Sequence, residues 1–188
     1  MNLIAFGFVL TTVCVCFLSF AYCYVFMGAF SFRKNGQMRS LSGIMKHSDL
    51  KPYFSFVMGC LGGSLFLACG LKGSDLMLGL SLGMYVSMIG LLCYDEKFSK
   101  SVHYSFVFVL ITLGCVFSGV LLHDNTQIWC YAAAVAYDTI VSLFLLCFFM
   151  NYRLRRMGCE DYRTIQAWLE ILWVLCLVML MCVYAFQG

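Results

Sequence analysis

Charge and proline are what this sequence lacks most: charged side chains fill only 11% of its 188 positions, and proline occurs once. A water-soluble domain carries about a quarter of its residues charged, whereas here 63% are hydrophobic. A soluble enzyme is therefore excluded, and disorder and fibrous repeats go with it. Alternation with period two is absent too, which argues against a membrane β-barrel. The catalytic patterns are missing as well. There is no H-E-x-x-H, and Gly62-Gly63-Ser64-Leu65-Phe66 lacks the last glycine of a nucleophile elbow. No C-x-x-C occurs among the twelve cysteines, so a thiol oxidoreductase has no support.

What is there is long apolar runs. A bilayer core needs about 20 apolar residues per helix, and six stretches supply them: Leu3–Ala29, Tyr53–Gly70, Leu76–Tyr94, Tyr104–Leu122, Ile128–Met150 and Ile165–Phe186. The first lacks a basic flank before it and is about twice too long for a signal-peptide core, so a retained span is expected. These runs predict an all-α integral membrane protein, with residues 1–188 forming a single six-helix transmembrane bundle.

The basic residues orient it. Arg33, Lys34, Arg39, Lys46 and Lys51 follow the first run, Lys97 and Lys100 the third, and Arg153, Arg155, Arg156 and Arg163 the fifth. Only Lys72 lies on the opposite side. The positive-inside rule then places loops one, three and five in the cytosol and both termini outside it. Arg33, Lys34, Arg39, Arg153, Arg155 and Arg156 are the candidate contacts for lipid headgroups, since juxtamembrane cations favour anionic leaflets. Membrane lipids, anionic ones among them, and a membrane-protein partner are the expected ligands. Nucleic acid is not. The plasma membrane or an endomembrane is the expected location.

Two carboxylates fall within spans. Asp138 sits near the middle of the fifth, where a charged group costs about 2.5–3.5 kcal/mol on insertion scales. It should be protonated and hydrogen-bonded to a neighbouring helix, serving either packing or proton and ion contact. Glu170 lies one to two turns into the sixth span, within snorkelling reach of Arg163 or Arg153–Arg156. His103 opens the fourth span after the Tyr94-Asp95-Glu96 turn. His47 and His123 fall on opposite sides of the membrane, so neither a metal site nor a haem is expected, and no cofactor is implied.

Small residues predict the packing. Ser55, Gly59 and Gly63 recur at four-residue steps, as do Gly79, Gly83 and Ser87, and then Gly114 and Ser118. Such stripes let helix backbones approach closely in lipid. Most cysteines lie inside spans and behave as small apolar residues. Cys69 and Cys130 are the pair placed to meet at one end of the bundle, with two free thiols the favoured state.

Ser40–Gly63 reads SLSGIMKHSDLKPYFSFVMGCLGG, and Tyr94 precedes His103 by nine residues, with Gly114 eleven residues beyond. The sixth span opens with Ala167-Trp168-Leu169-Glu170. Over residues 40–175 the chain resembles the six-span DRAM/Frag/Sfk superfamily of autophagy modulators, GPI-lipid-remodelling factors and phosphoinositide-kinase regulators. The resemblance implies that His103 matches the histidine opening the family's fourth span and Glu170 the acid of its sixth. It also implies a cytosolic N-terminus, the reverse of what the basic loops imply.

Four functions follow. The expected one is a non-enzymatic membrane regulator or lipid-interacting scaffold. The alternatives are a small proton-coupled transporter or channel using Asp138 and Glu170, an accessory subunit of a larger membrane complex, and a lipid-modifying enzyme with His103 as acid and base.

Overall fold

The computed structural model describes residues 3–25, 33–34, 37–38, 51–72, 74–94, 99–124, 127–156 and 162–186. Among the described residues six helices follow in order: α1 (Leu3–Val25), α2 (Lys51–Lys72), α3 (Asp75–Cys93), α4 (Lys100–Asp124), α5 (Ile128–Arg156) and α6 (Tyr162–Phe186). Between α1 and α2, the two-residue strands β1 (Arg33–Lys34) and β2 (Gln37–Met38) pair antiparallel, with Arg33 opposite Met38. The fold is thus an all-α bundle, and α2 to α6 are each long and apolar enough to cross a membrane. In α1 the described apolar stretch, Phe6–Leu18, is shorter.

The helix ends depart from the hydrophobic boundaries, because capping and propensity set them. Ser74 caps α3, its side chain accepting from Met77 N at 3.4 Å. Ser99 does the same for α4, taking the Val102 N–H at 3.4 Å. His103 therefore lies a turn inside α4 instead of opening it. The last turns of α5 carry Arg153, Arg155 and Arg156, expected in a loop. Arginine is a strong helix former, and cations suit a helix C-terminus.

Each helix packs on the next in the chain, and α6 closes the ring against α1 while also touching α2 and α4. The last helix thus touches α1, α2, α4 and α5, and β2 rests against it. Its buried stripe is Trp173, Leu177, Leu180 and Tyr184, spaced three or four residues apart as one helical face requires.

Lipid offers no hydrophobic drive between helices, so close fit has to hold them. The expected α2 stripe turns out to miss the interfaces, while the α3 stripe meets one at Gly83 and buried Ser87 but not at Gly79. A methyl group at Gly59, Gly63 or Gly79 would meet nothing within 4 Å. The close approach on α2 is at Gly62, one residue and about 100° round the helix from Gly63, where a methyl would fall 2.5 Å from the Tyr85 ring. On α3, Gly83 faces Leu113 and Gly90 carries the Phe106 ring. The α4 stripe is placed as expected, though it serves α5. A methyl at Gly114 would fall 2.7 Å from Cζ of Tyr137, and buried Ser118 faces Asp138.

Candidate functional site

Ser118, Asp138, Tyr137 and Trp173 come together where α4, α5 and α6 meet. Ser118 of α4 has no solvent exposure and donates its hydroxyl to Asp138 Oδ2 at 3.3 Å. Oδ1 of the same carboxyl is buried and takes no hydrogen bond from a described N–H or O–H. Cys115, one turn before Ser118, lies beside that carboxyl. The expectation that Asp138 bonds a neighbouring helix therefore holds, with Ser118 as the donor. At the preceding position of α5, Tyr137 is fully buried, and its hydroxyl accepts from Trp173 Nε1 of α6 at 3.3 Å. The Trp173 ring also stacks on Phe144 of α5, centroids 5.9 Å apart. Three helices are thus tied by two polar bonds and one stack.

Glu170 stands on the same α6 face as Trp173, one turn toward the helix start. Gln166 Nε2 reaches its Oε1 at 3.5 Å, the outer limit of a hydrogen bond. The arginines expected to pair with Glu170 have side chains outside the described residues. So do those of Arg33, Lys34, Arg153, Arg155 and Arg156, and Arg39 lies outside altogether. Their headgroup role rests on the sequence.

His103 is buried and forms a clasp. Its Nδ1 lies 3.0 Å from the carbonyl oxygen of Tyr94, just past the end of α3. The Tyr94 ring stacks on Phe106, which in turn covers Gly90. Tyr104 meets Phe148 edge-on at 5.3 Å and so joins this corner to α5. The nine-residue spacing of Tyr94 and His103 is therefore a closed contact across the α3–α4 connection. Asp138, Glu170 and His103 occupy three different helices, α5, α6 and α4.

At the other end, Lys72 of α2 donates to the Tyr184 carbonyl oxygen of α6 and lies 4.3 Å from that residue's ring centroid. Cys69 and Cys130 are both fully buried and are thiols, not joined in a disulfide, in keeping with the state expected. Among the described residues no group of three or more His, Cys, Asp or Glu side chains is placed to hold a metal ion.

Sequence reasoning missed Tyr137 and Trp173. Their signal was available in the pairing of an aromatic hydroxyl beside an intramembrane acid with an indole on the only other helix carrying one. No family model matches the chain, and no curated protein or solved structure does.

Proposed function

We propose that the chain is a six-span, non-catalytic membrane regulator or lipid-interacting scaffold. The observation that carries this reading is how its inner polar groups are used. Ser118 with Asp138, Trp173 with Tyr137, His103 with Tyr94 and Lys72 with Tyr184 are all ties between helices or across a corner. Each spends a donor on holding the bundle in one arrangement, as a scaffold needs. The outer face carries apolar and aromatic side chains such as Phe56, Trp129, Phe149 and Trp168, suited to lipid or to another membrane helix. The two tryptophans stand near opposite ends of the bundle, where amphipathic rings favour the headgroup level.

The basic loops supply the lipid preference. Eleven cations stand on that side against Asp49, Asp95, Glu96, Glu160 and Asp161, and each one near an anionic leaflet gains about 1 kcal/mol. The likeness to the DRAM/Frag/Sfk superfamily belongs to the same reading, and the Tyr94–His103 contact gives its histidine a structural role. Native mass spectrometry of the protein extracted in mild detergent tests the proposal. Retained phosphatidylserine or phosphoinositide, lost when Arg153, Arg155 and Arg156 are changed to Gln, is the expected result. Proton flux in proteoliposomes that disappears with Asp138→Asn would replace the scaffold by the transporter reading.

A further inference from the structure

Contacts between helix ends fix which termini share an end of the bundle. Phe6, near the start of α1, meets Phe186 at the end of α6, with ring centroids 5.1 Å apart. The end of α1 and the start of α6 therefore lie together at the other end. The β1–β2 hairpin follows α1 and rests with β2 on α6. α5 packs on α6 as well, ending at Arg156 just before α6 begins at Tyr162. Two basic segments far apart in the chain, Arg33–Lys34 of β1 and Arg153, Arg155 and Arg156 of α5, thus belong to a hairpin and a helix that both lie against α6. Arg163 stands in the first turn of α6 itself.

The level of the α5 arginines suits a phosphate. The membrane-crossing stretch of α5 ends at Met150, while the helix runs on to Arg156. At 1.5 Å per residue that extension rises about 9 Å, and each headgroup layer is about 5–8 Å thick. The backbone of α5 therefore carries arginine positions through the headgroup layer to its outer edge. Phosphates attached to a headgroup ring, beyond the diester, stand at that edge. Arg153 and Arg156, three residues apart, share one face of the helix. The acids nearby are fewer: Glu160 and Asp161, outside the described residues, and Glu170, which takes the Gln166 amide. Six cations against three carboxylates leave more positive charge than one singly charged headgroup neutralises. A phosphate monoester brings about −1.5 to −2 charges at neutral pH, and arginine engages it through two parallel hydrogen bonds.

We propose that the β1–β2 hairpin and the end of α5 form one site, across the start of α6, for the headgroup of a membrane lipid bearing two or more phosphate monoesters. The site rests on the lipid-interacting part of the scaffold reading and narrows it. Basic loops alone attract any anionic leaflet in proportion to its charge. Two cationic segments brought to one helix select a headgroup with phosphates enough for both. An occupied site joins the α1–α2 connection to the α5–α6 pair, which binding to either segment alone does not do.

Native mass spectrometry of the full-length protein in mild detergent, titrated with dioctanoyl phosphatidylinositol bisphosphate or dioctanoyl phosphatidylserine, tests it. The wild type should take up one bisphosphate lipid about tenfold or more tightly than phosphatidylserine. Arg33→Gln with Lys34→Gln, and separately Arg153→Gln with Arg156→Gln, should each weaken the bisphosphate lipid by about tenfold or more, since two juxtamembrane cations are lost each time. The wild-type comparison needs no variant to fold. Equal affinity for the two lipids overturns the proposal and leaves the general anionic preference standing. So does a hairpin variant that binds the bisphosphate lipid like the wild type. Soluble inositol trisphosphate binding as tightly as the lipid overturns the membrane-lipid assignment. A wild type that binds neither lipid overturns the lipid-interacting reading along with the site.

Discussion

Lys72 of α2 and Tyr184 of α6 hold each other twice. The ammonium donates to the tyrosine's carbonyl oxygen and lies 4.3 Å from the centroid of its ring. Tyr184 belongs to the last turn of α6, where carbonyls have no partner further along the helix and the dipole favours a cation. This explains the one basic residue on the side opposite the basic loops. It ties down the end of the helix that touches α1, α2, α4 and α5. Lys72→Met should cost about 1–2 kcal/mol, combining the helix-end and cation–π contributions. Thermal unfolding in detergent measures the loss, and Lys72→Arg, which keeps the charge, should recover part of it.

Packing gives a sharper contrast. Gly114→Leu would drive a side chain into the Tyr137 ring, whereas the space beside Gly63 is open. Gly114→Leu should therefore lower stability by about 1–3 kcal/mol or more, the usual cost of overpacking, and Gly63→Leu should leave the melting temperature near that of the wild type. Equal losses in the two variants would mean that α2 uses the other glycine stripe.

Asp138 and Ser118 make a matched pair of tests. Ser118→Ala removes the hydroxyl donor to the carboxyl and should cost about 0.6 kcal/mol, the average for intramembrane hydrogen bonds. Asp138→Asn keeps the shape and the acceptor, so the fold should survive it. Asp138→Leu should match Ser118→Ala in stability, and a double-mutant cycle should show that the two losses are not additive.

His103→Ala should loosen the α3–α4 corner, because the Tyr94 carbonyl loses its partner. A cost of about 1 kcal/mol is expected for one hydrogen bond. Limited proteolysis between Cys93 and Lys100 should speed up, while cleavage elsewhere stays unchanged.

Much of the fold could be read from the chain because a span of about 20 apolar residues has few alternatives in a bilayer. The helix ends could not, since Ser99 and the arginines after Asn151 extend helices by capping and propensity where hydropathy has already stopped. The α2 glycine stripe misled for a different reason. Gly62 and Gly63 are adjacent, and spacing along one helix cannot tell which of two faces meets a neighbour. For the site, depth alone identified Asp138, because any carboxylate mid-span needs a partner. Its donor Ser118 depends on the register between α4 and α5, which no local pattern encodes. Glu170 stands three residues before Trp173, on the α6 face that continues through Leu177, Leu180 and Tyr184, while the arginines expected to pair with it have side chains outside the described residues.

The measurement that bears most directly on the account is the sidedness of the two termini. Six spans, as proposed, would put both on one side, and by the positive-inside rule the eleven basic residues after the first, third and fifth apolar runs imply that this side is outside the cytosol. Epitope tags at the N- and C-termini of the protein, probed before and after the membrane is permeabilised, decide both points together. The account predicts that both tags are non-cytosolic. Tags on opposite sides would show that α1 does not span and leave five crossings. Two cytosolic tags would contradict the charge reading and favour the orientation implied by the DRAM/Frag/Sfk resemblance.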